Sequence, residues 1–123
     1  MTSELRSPTD CERAILDVLL SADFPGRDTV RALLADAEVR TIDEDGSLEI
    51  ICTSPLKAEV VKQVPVEAYA TDADGVTAEI LLHVRNGKPV ELEVFKRDAS
   101  TVSSLEALRN FDVQVYPPYR SRI

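Results

Sequence analysis

Histidine and cysteine, the side chains that most often hold transition metals, are scarce in this sequence of 123 residues. Cysteine occurs only at Cys11 and Cys52, and histidine only at His83. Two cysteines are too few for a disulfide framework, and these two lack the spacing of a zinc site. We expect both to behave as small hydrophobic residues of the interior. With a single imidazole, the sequence predicts no metal site, and we assign no cofactor.

Glycine is also rare, with four residues in the chain. The sequence contains none of the glycine-based motifs GxSxG, GxxxxGK[ST] and GxGxxG, which mark serine hydrolases, phosphate-binding loops and dinucleotide sites. We therefore name no catalytic residue. The question of enzymatic activity stays open, with a non-enzymatic role favoured.

Long hydrophobic runs are absent, and none approaches the roughly 20 residues that span a membrane. The first ten residues, MTSELRSPTD, do not combine basic residues with an apolar stretch as a secretory signal does. We expect a cytoplasmic protein that has no membrane partner.

Basic residues are outnumbered, with 14 lysines and arginines against 22 acids and a net charge of −8. An acidic surface repels phosphates, so we expect no nucleic-acid partner. The same charge permits a basic protein partner or association with a second copy of the chain.

The hydrophobic pattern changes its period near Glu38. Before that residue, apolar residues recur at helical spacing, which predicts a helix capped by Ser7 and a second one over about 28–37. After it, alternation predicts strands near 39–42, 47–52, 64–71, 76–85 and 89–95, an irregular segment over 53–63, and a short helix from Ser103 to Arg109 with a possible edge strand at 113–115. The core face of the first helix is predicted to contain Cys11, Ile15, Val18, Leu19 and Ala22.

These elements predict an α+β fold. The N-terminal helical hairpin packs on one face of an antiparallel meander of about five strands, followed by the short helix and the possible edge strand. We expect one domain over residues 1–123, in which 1–6 and 117–123 are loose tails.

Two stretches, TIDEDGSLEI and ATDADGVTAEI, place two carboxylates one residue apart before a glycine. An EF-hand loop would need a further carboxylate two residues before this pair, a glutamate at its end and flanking helices. We therefore interpret both stretches as turns. Three-residue loops ending in Gly46, Gly75 and Gly87 align the apolar stripes of the strands, so that Ile42 faces Leu48, Ile80 faces Ala68, and Leu82 faces both Val66 and Val90.

This register leaves a carboxylate-rich face on the side of the sheet away from the helices. It sets Glu79 directly opposite Glu93, and it places Leu81 and Phe95 among the acids as apolar anchors. His83 on this face is read as a surface histidine rather than as a general base. The candidate binding residues are Glu67, Tyr69, Glu79, Leu81, His83, Glu91, Glu93 and Phe95.

The stretches LLSADFPGRDTVRALLADAEV and GVTAEILLHVRNGKPVELEVFKRDAS resemble a family of small bacterial proteins that is known only as a domain of unknown function. The resemblance covers most of the chain and implies one compact bacterial domain, without any activity. Some relatives have a Cys-Gly-Cys stretch before the second strand. The corresponding TIDEDGSLEI has no cysteine here, so no metal role is carried over to it.

Three functional hypotheses remain. The first is a non-enzymatic module whose acidic face binds a basic protein or a second copy. The second is a small-ligand or enzymatic site in a pocket between helices and sheet, near His83 and Tyr69. The third is a homodimer formed through an edge strand.

Overall fold

A computed structural model describes residues 4–115 of the chain. Two helices precede a six-stranded antiparallel sheet, which confirms the α+β class. Within the described residues, no helix is long and apolar enough to cross a membrane. The elements are α1 (Asp10–Leu20), α2 (Arg27–Ala35), β1 (Glu38–Thr41), β2 (Leu48–Ile51), β3 (Val66–Thr71), β4 (Thr77–Arg85), β5 (Lys88–Lys96), a 3-10 turn (Leu105–Ala107) and β6 (Arg109–Val115).

Helix α1 is capped by Thr9, so the cap predicted at Ser7 is wrong. The Thr9 hydroxyl accepts a bond from the Glu12 amide, and the Glu12 carboxylate accepts one from the Thr9 amide. This reciprocal capping box satisfies two amides that the first helical turn leaves unpaired, which Ser7 followed by Pro8 does not achieve. The buried face of α1 also differs from the predicted one. It consists of Glu12, Ile15, Leu16, Leu19 and Leu20.

Arg6, which we placed in a loose N-terminal tail, is held against the sheet. Its amide and carbonyl bond to the Val39 carbonyl and amide at 2.9 and 2.7 Å. Its guanidinium donates hydrogen bonds of 2.8 and 3.0 Å to the two carboxylate oxygens of Glu12, and another to the Thr41 hydroxyl. Part of the free edge of β1 is thereby covered, which limits unwanted pairing with other strands. The predicted C-terminal tail, 117–123, lies outside the described residues.

The strand order is β1-β2-β5-β4-β3-β6. Only the central strands β3, β4 and β5 form the predicted meander. The β1–β2 hairpin pairs with β5, and β6 pairs with β3 on the other side. The predicted edge strand is therefore present and longer than expected, whereas the C-terminal helix is a single 3-10 turn. Ser104 rather than Ser103 caps that turn, by accepting a bond from the Ala107 amide.

The β3–β4 turn has the predicted geometry. Ala73-Asp74-Gly75 forms a three-residue loop, and the strands pair Ala70 with Ala78, Ala68 with Ile80, and Val66 with Leu82. The β1–β2 loop is one residue longer than predicted, because the Ile42 amide bonds to the Ser47 carbonyl and Thr41 faces Leu48.

The predicted β4–β5 register is wrong. Asn86 and Gly87 have φ of 53° and 76°, and they form a two-residue turn that brings Arg85 opposite Lys88. Without an irregularity, a two-residue turn would set the buried Leu82 against Glu91, which would bring a charge into the apolar stripe. A bulge avoids the pairing of Leu82 with Glu91. His83 faces Glu91 and Val84 faces Pro89, so Val90 has no partner. Beyond the bulge, Leu82 faces Leu92 and Ile80 faces Val94.

The core lies between the helices and one face of the sheet. Helix α1 contacts β3 and β6, and α2 contacts β5. Because side chains alternate along a strand, burial of one stripe sends its neighbours to the opposite face. Among the fully buried side chains are Leu19, Val30, Val39, Leu48, Val66, Ile80, Leu82, Leu92 and Val94.

The segment 53–63 has no helix or regular strand, as predicted, and it crosses the tip of the β4–β5 hairpin. The Ala58 amide bonds to the Gly87 carbonyl at 2.8 Å, and the Val84 amide bonds to the Gln63 carbonyl at 2.7 Å. At Gly87 an added Cβ would lie 2.7 Å from the Lys57 Cβ, so only glycine lets the segment approach this closely.

We predict that Gly87→Ala is more destabilising than Gly75→Ala. Both glycines have positive φ, so each substitution carries a conformational penalty of about 1–2 kcal/mol. Only Gly87 adds a steric clash, since nothing lies within 4 Å of a Cβ at Gly75. Urea unfolding of the two variants gives the comparison. Equal losses of unfolding free energy would contradict the packing of 53–63 on the hairpin.

Candidate functional site

The carboxylates of the β3–β4 turn bind a cation that belongs to the protein itself. The Lys96 ammonium lies 2.8 Å from Asp72 Oδ2 and 2.8 Å from Asp74 Oδ2. The Lys96 and Asp72 side chains are fully buried, whereas that of Asp74 is half exposed. The turn interpretation is confirmed, and the cation position between the two acids is filled by lysine.

Asp72 also fastens the segment that leads to β6. Its carboxylate accepts bonds from the Ser103 amide and hydroxyl at 2.8 and 2.5 Å, and from the Ala73 amide at 2.7 Å. The Lys96 ammonium, followed by the Ser103 bonds, holds the pKa of Asp72 far below its usual value. Asp72 in turn raises the pKa of Lys96.

The carboxylates of the other stretch, in the β1–β2 loop, also accept hydrogen bonds from backbone amides. Asp43 Oδ1 accepts bonds from the Asp45 and Ser47 amides at 3.0 Å each, which closes the loop. Asp45 Oδ1 accepts a bond from the Val102 amide at 2.8 Å. The acids of both stretches therefore join turns to the chain that follows β5.

All eight candidate binding residues lie on the sheet face away from the helices, but the predicted opposition of Glu79 and Glu93 is wrong. Because the β4–β5 turn has two residues, Glu79 faces Phe95 and Glu93 faces Leu81. Three rows cross the sheet on this face: Glu49, Glu91 and His83; Glu93, Leu81 and Glu67; and Phe95, Glu79 and Tyr69. We call these nine residues the acidic face.

Arginines that the sequence argument missed neutralise two of these acids. Arg97 donates from its Nε and Nη2 to the two carboxylate oxygens of the nearly buried Glu79, and this pairing raises the pKa of Arg97. Arg40 Nε lies 2.7 Å from Glu49 Oε1. Both pairs lie at hairpins that the sequence predicts, but the predicted registers of these β1–β2 and β4–β5 hairpins were wrong, so these arginines were not placed beside these acids.

The remaining acids differ in their partners. Glu67 accepts a 2.6 Å bond from the Tyr69 hydroxyl. Glu93 Oε1 lies 2.8 Å from His83 Nε2. Within residues 4–115, Glu91 forms no ion pair. The residue directly opposite it on β2 is another acid, Glu49. One ligand atom from each of His83, Glu91 and Glu93 lies within 4.8 Å of the others.

The predicted pocket between helices and sheet does not contain His83 and Tyr69, which point to the opposite face. A cavity of about 170 Å³ does lie between α1, the 3-10 turn and β6. Burial raises the pKa of the Cys11 thiol at this cavity, and likewise that of Cys52, so neither is activated as a nucleophile. The cavity is lined by Cys11, Ala14, Ile15, Val18, Leu105, Glu106, Leu108 and Phe111.

A comparison with protein families finds a match to a domain of unknown function, DUF6984, over residues 5–106. The chain belongs to this family. The matched residues run from the segment before α1 into the 3-10 turn, so they include the whole acidic face. Searches of curated proteins and of solved structures find no match.

We predict that Asp72→Asn lowers the Tm at pH 7 by about 10 °C, because it leaves the buried Lys96 without its main counter-charge. The lowered pKa means that the unfolded chain takes up a proton at Asp72 before the folded chain does. The stabilisation is therefore complete above about pH 5 and is lost as the pH falls below about 4.

The measurement is the Tm of wild type and Asp72→Asn between pH 7 and pH 3, with Asp17→Asn on the exposed side of α1 as control. The difference in Tm between wild type and Asp72→Asn should become smaller as the pH falls, whereas the Tm of Asp17→Asn should equal that of wild type at every pH. Equal Tm values for Asp72→Asn and wild type at pH 7 would refute the role of this cluster.

Proposed function

We propose that the protein is a non-enzymatic binding module whose acidic face binds a basic protein. The observation that carries the proposal is the concentration of carboxylates around half-buried apolar side chains on the sheet face without helices. Leu81 lies between Glu93 and Glu67, and Phe95 lies beside Glu79. Protein interfaces commonly combine such an apolar centre with a charged surround.

The charges of this face favour a basic occupant. Arg97 and Arg40 neutralise Glu79 and Glu49, which leaves Glu91 and Glu93 as carboxylates without a lysine or arginine partner in the described chain. An approaching lysine or arginine can pair with Glu91 without displacing an internal ion pair, and it can join Glu93 beside the 2.8 Å contact of Glu93 with His83. The net charge of −8 would also accelerate the encounter with a basic partner.

A second copy of the chain fits the face less well. A twofold dimer brings the same patch of each subunit together, so carboxylates would meet carboxylates. The cost of such pairs rises when water is excluded from them. A basic partner is therefore favoured over self-association through this face.

The alternative of an enzymatic or small-ligand site has less support. His83 and Tyr69 lie on an open face, in different rows, and neither lines the cavity beside Cys11. The proposal keeps the expectation of a cytoplasmic protein, and a bacterial source is what the family resemblance implies.

The test compares two variants of equal charge. Glu91→Lys/Glu93→Lys reverses the two acids that have no lysine or arginine partner in the described chain, and Asp17→Lys/Glu44→Lys reverses two exposed acids away from the face. Each protein captured by the wild-type chain is purified. The Kd of its complex with wild type and with each variant is then measured by calorimetry at low and at physiological salt. We expect a basic partner whose Kd rises at least about tenfold with the face variant and with salt, while the control resembles wild type.

Two results would overturn the proposal. One is an equal loss of affinity in both variants, since that indicates a response to net charge alone. The other is a wild-type dimer in light scattering that the face variant dissociates, since a second copy would then occupy the face. Circular dichroism of all three proteins verifies that the variants are folded.

A further inference from the structure

We propose that His83, Glu91 and Glu93 form a binding site for a divalent transition-metal ion, with Zn²⁺ as the best fit. The sequence argument excluded metal because it found only one histidine. The structure adds two carboxylates to that imidazole, and the three ligand atoms lie within 4.8 Å of one another. This inference uses Glu91 and Glu93, the carboxylates that the proposed function offers to a basic partner, so a bound metal ion and a partner's lysine or arginine would compete for them.

The geometry of the sheet brings these side chains together. His83 and Glu91 are directly opposite on β4 and β5, and Glu93 is the next residue on the same face of β5. The bulge at Val90 ends the regular pairing beside them, and bulges often redirect side chains at functional sites. The neighbours Leu82 and Leu92 are fully buried, so the backbone beneath the site is firmly held. Ligands on adjacent strands of a packed sheet are well positioned before the metal arrives.

The charges provide a second and independent argument. Elsewhere the chain supplies its own cation to its buried acids: Lys96 to Asp72, Arg97 to Glu79, and Arg6 to Glu12. At the proposed site neither Glu91 nor Glu93 has a lysine or arginine partner within the described chain, and Glu93 contacts the His83 imidazole instead. Glu49 lies directly opposite Glu91, but Arg40 pairs with Glu49 and not with Glu91. A divalent cation would compensate the two charges that the protein leaves unbalanced.

The ligand types select the class of metal. An imidazole nitrogen suits Zn²⁺, Cu²⁺ and Ni²⁺, whereas Mg²⁺ and Ca²⁺ prefer oxygen alone. Zn²⁺ binds such atoms at about 2.0–2.2 Å, so two ligands of a tetrahedral ion lie about 3.4 Å apart. The 2.8 Å from His83 Nε2 to Glu93 Oε1 and the 4.8 Å limit for the set span this value. Modest rotation of the glutamates would complete the site and leave a fourth position for water.

The single histidine makes the test direct. Imidazole nitrogen resonances of the full chain, stripped of metal with a chelator, are recorded before and after one equivalent of ZnCl₂ at pH 7.5. We expect a large shift at Nε2 of His83 in wild type, which needs no substitution and so no concern about folding. An unshifted Nε2 would overturn the proposal.

Calorimetry then assigns the carboxylates. It is performed in a Cys11→Ser/Cys52→Ser background, so that thiols cannot contribute. We expect one site, with His83→Gln, Glu91→Gln and Glu93→Gln each weakening the affinity for Zn²⁺ at least about tenfold, as loss of a metal ligand does. Glu38→Gln, an exposed residue of β1, serves as the matched control and should leave the Kd unchanged.

The remaining outcomes decide against the site. Zinc binding that survives His83→Gln, or that all three glutamine variants leave intact, would indicate a different location. Mg²⁺ that displaces Zn²⁺ at equal concentration would show that the imidazole is not a ligand. The affinity should also fall as the pH is lowered, because protons compete for the ligand atoms.

Discussion

The burial of one stripe of β4 and β5 is the constraint on which the rest of the structure depends. Leu82 against Leu92 and Ile80 against Val94 are all fully or almost fully buried. Burying side chains of this size contributes about 1.5–3 kcal/mol each, so the four together approach the net stability of an ordinary domain. A pair of opposed carboxylates at the surface costs at most about 1 kcal/mol. The burial therefore decides the register, and the acids occupy whatever face remains.

Charged groups that this arrangement draws into the interior are each matched by a partner. Lys96 is two residues beyond Val94, so the alternation of β5 carries it inward, where Asp72 and Asp74 receive it. Asp72 then binds Ser103, which connects the β3–β4 turn to the segment before β6. One buried ion cluster thus fixes the relative positions of three parts of the chain. The same ion cluster also stabilises the strands that carry the acidic face.

The sequence was sufficient for the face on which most side chains of β3, β4 and β5 lie, because alternation is a local property. It failed at the end of β1, where Ile42, predicted to face Leu48, is exposed. The predicted β4–β5 register was displaced by two residues, and a displacement of two keeps every side chain on its face. This explains why the eight candidate residues share a surface although Glu79 and Glu93 are not opposite. The residues that face each other across β4 and β5 could not be predicted, because the bulge at Val90 left no mark in the hydrophobic pattern.

Long-range pairing accounts for the other gaps. Nothing local indicates that β2 joins β5, so neither Glu49 nor its partner Arg40 entered the predicted site. The Thr9–Glu12 capping box was visible in the sequence, and the signal from Ser7 and Pro8 obscured it. The metal proposal likewise required the structure, because residues 83, 91 and 93 converge only when the two-residue turn and the bulge are both known.

The most direct test of this account is the β4–β5 register in solution. Cross-strand NOEs in isotope-labelled protein should connect Leu82 with Leu92, Ile80 with Val94, and His83 with Glu91. NOEs that connect Leu82 with Val90 and Ile80 with Leu92 would restore the three-residue loop and move Glu91 away from His83. That result would contradict both the rows of the acidic face and the proposed metal site.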